Sequence, residues 1–221
     1  MEKRQFKEGV YSGISQMTKA LSNPNRLEII DLLAQGEKTV EVIAQEINAS
    51  VANASQHLQV LKQARLVSTR RQGHFIYYTL ASPEVFGAWY ALRSLSIRQI
   101  PEVKQVIDDF RHSRDSLEAI SIEALTEKLE LDEVVLLDVR PAEEYRMGHI
   151  PRAISVPIDQ LDLQVKSLPA RQEIIVYCRG PFCVFADEAV VRLKNQGYRA
   201  TRLEEGFPDW KRLGLPVAFP Q

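Results

Sequence analysis

The chain has 221 residues, a formal net charge of −1 and 45% hydrophobic residues, the composition of an ordinary globular protein long enough for one large domain or two small ones. No apolar run approaches the roughly 20 residues that span a bilayer. The opening Met1-Glu-Lys-Arg-Gln-Phe-Lys-Glu8 lacks a signal-like apolar segment, and two cysteines are too few for a secreted disulfide scaffold. A membrane protein and a disulfide-stapled secreted domain are thereby set aside, and a cytoplasmic protein with reduced, reactive thiols is expected.

The charge is unevenly spread. Residues 1–100 hold 12 Lys and Arg against 8 Asp and Glu, whereas residues 101–221 hold 16 against 21. A basic half beside an acidic half suggests two domains, with nucleic acid as a partner of the first, although so small an excess also arises by chance.

In chain order, Pro24 opens a helical run, Asn25 to Ala34, with Gly36 as its stop. Leu27, Ile30 and Leu33, with Ile29 beside them, make its apolar stripe. The pattern predicts a second helix over Val40–Ile47, a break at Asn48-Ala-Ser50, and a third helix over Val51–Ala64 with Ser50 as its N-cap. Two helices joined by a short turn have the geometry of a helix-turn-helix. In the third helix Val51, Ala54, Leu58 and Leu61 form the apolar side, Asn53 and Gln56 project from the other, and His57 and Gln59 flank them. Asn and Gln amides can pair bidentately with adenine in the major groove, but they also occur on any wet helix face. Leu66 to Leu80 reads as a β-hairpin turning at Gln72-Gly73. Arg70, Arg71 and His74 gather near its tip, where they either touch phosphates or simply keep the tip soluble.

Residues 11–100 resemble the ArsR family of winged-helix repressors. The segments that carry the likeness are Asn25-Arg-Leu-Glu-Ile-Ile, Ser55-Gln-His-Leu-Gln-Val-Leu-Lys and Leu66-Val…Arg71-Gln-Gly-His-Phe-Ile-Tyr-Tyr. The resemblance implies a homodimer joined through the first and last helices, here about 8–21 and 83–100, with two recognition helices reading a near-palindromic double-stranded operator. It assigns DNA contact to Ser50, Asn53, Ser55, Gln56, His57, Gln59, Arg70, Arg71 and His74. Metal-sensing members carry cysteines on the helix before the recognition helix, where this chain has Thr39 and Glu41; its first cysteine is Cys178. The four histidines, His57, His74, His112 and His149, are scattered, so neither a metal site nor a cofactor is expected.

Residues 101–118 are charged and glycine-free, and predict a helical or semi-rigid link between a domain over 1–100 and one over 119–221. Beyond them, Ile122–Glu130 is helical, Val134–Val139, Ile174–Tyr177 and Tyr198–Leu203 are strand-like, and Phe185–Asn195 is helical again. This alternation predicts an α/β layer with a mainly parallel sheet, whose chemistry gathers at the carboxyl ends of its strands. Cys178 stands one residue past such an end, in Cys178-Arg-Gly-Pro-Phe-Cys183. A thiol between a strand and a helix N-terminus meets backbone N–H groups and the helix dipole, both of which favour the nucleophilic thiolate.

Three ordered motifs resemble the rhodanese family over residues 119–218: Leu136-Leu-Asp-Val-Arg-Pro…Val-Pro157, the Cys178 loop, and Gly206-Phe-Pro-Asp-Trp…Val217. By the family's chemistry Cys178 would take a sulfane sulfur from a small donor such as thiosulfate or polysulfide and hold it as a persulfide, with Arg179 attracting the anionic donor and Gly180 shaping the loop. Asp138 and Arg140 are expected to form a structural ion pair near the site, His149 to order its turn, and Trp210 to fill the core. Many rhodaneses place an arginine where this chain has Cys183. That departure argues against phosphatase activity and supplies a second thiol, either a partner for Cys178 or a small buried filler. Joining the halves, the sequence points to a DNA-binding regulator that senses sulfur through Cys178. The alternatives are a working sulfurtransferase whose DNA-binding half only autoregulates its operon, and a silent rhodanese used as an interaction module.

Overall fold

The computed structural model describes residues 1–112, 118–165 and 172–220. It divides into two compact units, Met1–Ala91 and Leu92–Gln221, and the division falls within a helix.

The first unit contains α1 (Lys3–Leu21), α2 (Pro24–Leu33), β1 (Lys38–Thr39), α3 (Val40–Glu46), α4 (Val51–Gln63), β2 (Val67–Gln72), β3 (Phe75–Leu80) and the start of α5 (Pro83–Gln99). The side chain of Asn23 caps α2 by accepting from the Arg26 N–H, with Pro24 in the first turn where its missing donor costs nothing. Ser50 caps α4 by accepting from the Asn53 N–H at 3.2 Å. Ile29, Ile30, Leu33, Ile43, Ala54, Leu58 and Leu61 are buried in one core with Phe86 and Trp89 of α5. Val51, expected on the buried stripe, is 48% exposed. It is the first residue of α4, and helical side chains tilt toward the N-terminus, so it projects past the stripe's end.

The hairpin pairs Val67 with Leu80 through to Gln72 with Phe75. That register leaves Gly73-His74 as the turn, one residue beyond the expected Gln72-Gly73, because Gln72 still belongs to the ladder. β1 adds a third strand against β3, Lys38 opposite Tyr78. Two residues are too few to show a strand period, so sequence patterning missed it.

The second unit continues with α6 (Pro101–His112), β4 (Ala119–Ile120), α7 (Ile122–Glu130), β5 (Val134–Asp138), α8 (Ala142–Arg146), β6 (Ile154–Ser155), α9 (Leu161–Gln164), β7 (Glu173–Tyr177), α10 (Val184–Asn195), β8 (Ala200–Leu203) and α11 (Phe207–Arg212). Of the expected link 101–118, residues 101–112 form α6, and residues 113–117 lie outside the described residues. Among the described residues the sheet has five strands, ordered β4-β8-β7-β5-β6 and paired in parallel.

Both faces of this sheet are covered. Val135, Leu137, Ile174 and Val176 pack with Ala189, Val190 and Leu193 of α10 on one side. Val134, Leu136, Ile175 and Tyr177 pack with Leu125, Phe207 and Trp210 on the other. The two-residue period of a strand sends alternate side chains to opposite faces, so a doubly covered strand reads as one continuous apolar run. β7 lies inside the sheet, and its carboxyl end delivers Cys178. Among the described residues no helix is long and apolar enough to cross a membrane.

Candidate functional site: the cysteine loop and the recognition helix

Cys178 directly follows β7 and is 2% exposed. Five residues later Cys183 is the N-cap of α10, and the two are joined as a disulfide with Cα atoms 6.3 Å apart. The loop between them closes on itself: Gly180 adopts φ +155°, a region that favours glycine, and its carbonyl accepts from the Cys183 N–H at 3.1 Å. Both sulfurs lie at the N-terminal end of a twelve-residue helix.

Several groups grip the loop from outside it. Arg179 Nε lies 3.1 Å from each oxygen of Glu144, and its Nη2 donates to Oε1 at 2.7 Å. Arg179 is 13% exposed and Glu144 1%, and the guanidinium also faces the Phe185 ring at 5.9 Å. The arginine read as an attractor for an anionic donor is therefore directed at a buried carboxylate, which fixes its position and offsets its charge. The Phe207 N–H donates to the Cys178 carbonyl at 3.2 Å. Gly206 comes so near the loop that a Cβ there would lie 2.3 Å from Gly180 N and 2.4 Å from Arg179 C. Asp209 accepts from the Gly206 N–H at 3.0 Å through one oxygen and from Arg93 Nη2 at 2.6 Å through the other. Arg111 Nη2 donates to the Pro181 carbonyl at 2.5 Å.

The strand ends behind the loop are tied together. Arg140 donates to both oxygens of Asp138 at 2.6–3.1 Å and to the Gly148 carbonyl at 2.9 Å, with Asp138 and Arg140 both fully buried. The Tyr177 hydroxyl donates to Asp138 at 2.6 Å and accepts from the Ile150 N–H at 3.2 Å. Burial first, and the Asp138 charge second, push the Tyr177 phenol well above its usual range, so it stays a neutral donor. His149 stacks on Tyr145, and its backbone pairs with Ala218. Trp210 is 3% exposed and donates to the Pro216 carbonyl at 2.7 Å.

In the first unit Asn53, Gln56 and Gln59 are exposed on α4, Ser55 is half-buried, and Ser50 is the exposed cap. His57 is half-buried with Nε2 3.4 Å from Asn25 Nδ2, and burial followed by the Arg26 charge lowers its pKa. It is thus turned partly toward α2. On the hairpin Arg70 sits opposite Tyr77, below the tip, and donates to Glu37 through Nε at 3.1 Å and Nη2 at 2.5 Å. Arg71 donates to the Gly73 carbonyl, and His74 is exposed in the turn. Among the described residues no cluster of three or more His, Cys, Asp or Glu side chains could hold a metal ion.

Glu144, Asp209, Arg93, Arg111 and Glu37 were not singled out from sequence. Glu144 lies inside the first rhodanese-like motif and Asp209 inside the third. Arg93, Arg111 and Glu37 are ordinary charged residues on helices or loops, and only the fold brings them to their partners.

The family model for the bacterial regulatory proteins of the arsR family matches residues 23–69, and the rhodanese-like domain model matches residues 121–213. The HTH-type transcriptional regulator Rv0324 of Mycobacterium tuberculosis is 38% identical over 211 residues, covering 96% of this chain and 92% of that protein. A sulfurtransferase of Allochromatium vinosum is 31% identical over 104 residues, 46% of this chain and 95% of that one. Among solved structures, the homodimeric winged helix-turn-helix DNA-binding domain of Mb0332 from Mycobacterium bovis is 35% identical, covering 45% of this chain and 91% of that one at a TM-score of 0.42. With a full-length relative at this identity and two family models in the same order, the chain belongs to the ArsR family of winged helix-turn-helix transcriptional regulators, in the form that also carries a rhodanese domain.

Proposed function

We propose that the protein represses or releases an operator according to the sulfur state of Cys178. In this reading residues 1–100 dimerise and bind double-stranded DNA, residues 101–118 link, and residues 119–221 react with sulfur. A regulator of this kind works in the cytoplasm. Asn53, Ser55, Gln56 and Gln59 face base edges, Ser50 caps their helix, and His57 supports it from the α2 side. Arg71 and His74 reach phosphate, and Arg70 joins them if Glu37 releases it. The dimer reading is supported by α1, which leaves Phe6, Val10, Ile14 and Met17 at 44–55% exposure, an apolar face that a second copy would cover.

The observation that carries the sulfur reading is the Cys178–Cys183 pair, which holds both cysteines of the chain. The Cys178 thiolate attacks the outer sulfur of thiosulfate, the S–S bond of the donor breaks, sulfite leaves with the electron pair, and a persulfide remains on Cys178. The Cys183 thiolate then attacks Cys178 Sγ, the persulfide bond breaks, and hydrosulfide leaves as the disulfide forms. The two thiols are oxidised and the sulfane sulfur is reduced to sulfide. The test is operator binding by the full chain before and after polysulfide or thiosulfate, in wild type and Cys178→Ser. A change confined to the wild type supports the reading, and equal affinity throughout rejects it.

A second reading is an active sulfurtransferase, favoured by the likeness to the Allochromatium vinosum sulfurtransferase. Turnover of thiosulfate with cyanide that disappears in Cys178→Ser would support it. A single stoichiometric release of sulfite followed by arrest would favour the switch instead.

A further inference from the structure

The rhodanese model begins at residue 121, yet two side chains from before it reach the cysteine loop. Arg111 of α6 donates to the carbonyl of Pro181, midway between the two cysteines, and its Nε lies 3.7 Å from Asp187 Oδ1. Asp187 is in the first turn of α10, the helix that Cys183 caps. Arg111 therefore touches the loop and the start of the helix that follows it.

Arg93 of α5 acts through Asp209. That carboxylate spans Arg93 Nη2 and the Gly206 N–H, and Gly206 packs directly on the Arg179–Gly180 backbone. Arg93 and Asp209 are 4% and 1% exposed, so little water competes for this pair. A Cβ built on Gly180 would itself lie 3.6 Å from Arg93 Nη1 and 3.8 Å from Asp209 Oδ2.

We infer that Arg93 and Arg111 are positioning residues for the cysteine loop, fixing the backbone geometry in which Cys178 and Cys183 meet. The inference rests on the reading of these two cysteines as the reactive pair. A carbonyl held by a guanidinium, and a glycine turn held by a buried ion pair, cannot drift as the sulfurs change state. A loop without these contacts samples more conformations, and ring closure between its thiols then costs more entropy. Neither arginine belongs to the segment that defines the domain. α5 also supplies Phe86 and Trp89 to the core of the first unit.

The buried ion pair by itself has a simpler reading, that Arg93 and Asp209 only stabilise the fold. The test separates the two. The full chain is equilibrated in glutathione and glutathione disulfide at a series of ratios. The protein disulfide exchanges with two glutathione thiols to give the dithiol and one glutathione disulfide, and acid quenching with alkylation gives the fraction of each by mass. Losing part of this charge-assisted hydrogen bond shifts the equilibrium toward dithiol by roughly three- to tenfold in Arg111→Met. Arg111→Lys, which keeps the charge and one donor, restores most of the shift. Arg93→Met shifts it the same way. Circular dichroism and thermal unfolding of each variant show whether it is folded. A lower melting temperature with an unmoved thiol–disulfide equilibrium in both methionine variants overturns the inference and leaves only a stabilising role. A wild type that forms no disulfide at any ratio overturns the reading of the cysteine pair and this inference with it.

Discussion

Arg179 and Glu144 form a two-pronged ion pair beside the cysteine loop, with Glu144 wholly buried and Arg179 nearly so. The residue next to Cys178 is therefore held by α8, and its charge is offset by a buried carboxylate. Replacing Glu144 with Gln removes that carboxylate from a buried cation. Breaking a pair of this kind costs about 3 kcal/mol. The full chain should lose that much stability in denaturant unfolding, and Arg179→Met with Glu144→Gln should recover part of it. An unchanged midpoint for Glu144→Gln would show that the pair adds nothing to the loop's hold.

Gly206 meets the loop backbone too closely for any side chain. Its φ of −126° suits every residue, so the obstacle is space and not conformation. Gly206→Ala must push Arg179 and Gly180 away, and overpacking of this kind costs about 1–3 kcal/mol. We expect a lower melting temperature together with slower disulfide closure between Cys178 and Cys183, followed by alkylation after a pulse of oxidant. Normal closure would mean that the loop does not depend on this contact.

On the DNA-binding side, two substitutions should separate base reading from phosphate contact. Gln56→Ala should weaken binding to the preferred operator by about 1–3 kcal/mol while leaving random DNA nearly unaffected. Arg71→Ala should weaken both alike and lower the slope of log affinity against log salt by about 1. Glu37→Gln should strengthen binding at low salt, because the guanidinium of Arg70 loses its carboxylate and turns to phosphate. Equal effects of Gln56→Ala on operator and random DNA would remove α4 from base readout.

Glu205 gives a pH test. Its Oε2 is buried and has no hydrogen-bond partner among the described residues, and burial first, then the nearby Glu204, Asp209 and Glu123 charges, raise its pKa above the usual 4.5. The acid form is thus favoured in the folded state. Its stabilising contribution is present below pH 4.5 and is lost as pH rises through the higher folded value, so the ionised carboxylate is a liability at neutral pH. Glu205→Gln should melt at a higher temperature than the wild type at pH 7, with the gap closing on acidification. A gap of the same size at pH 4 would trace the effect to something other than this charge.

The helix-turn-helix, the hairpin, the parallel sheet and the place of Cys178 were all legible in the sequence. Each rests on a local period or on a short motif with its own cap or turn: Ser50 ahead of α4, the apolar runs of β5 and β7, the cysteine one residue past a strand. β1 and β6 were not legible, because two residues show no period and exist as strands only through their neighbours. The ionic hold on the site was decided by tertiary structure alone. Arg93 and Asp209 are 116 residues apart, Arg179 and Glu144 are 35 apart, and no local period pairs either couple. The sequence by itself determined where the two thiols stand and which segments form the helix-turn-helix, since those depend on residue type and local geometry. Whether Cys183 lies within bonding distance of Cys178, and which arginines secure the loop between them, depends on long-range packing, which places side chains that local patterns leave undirected.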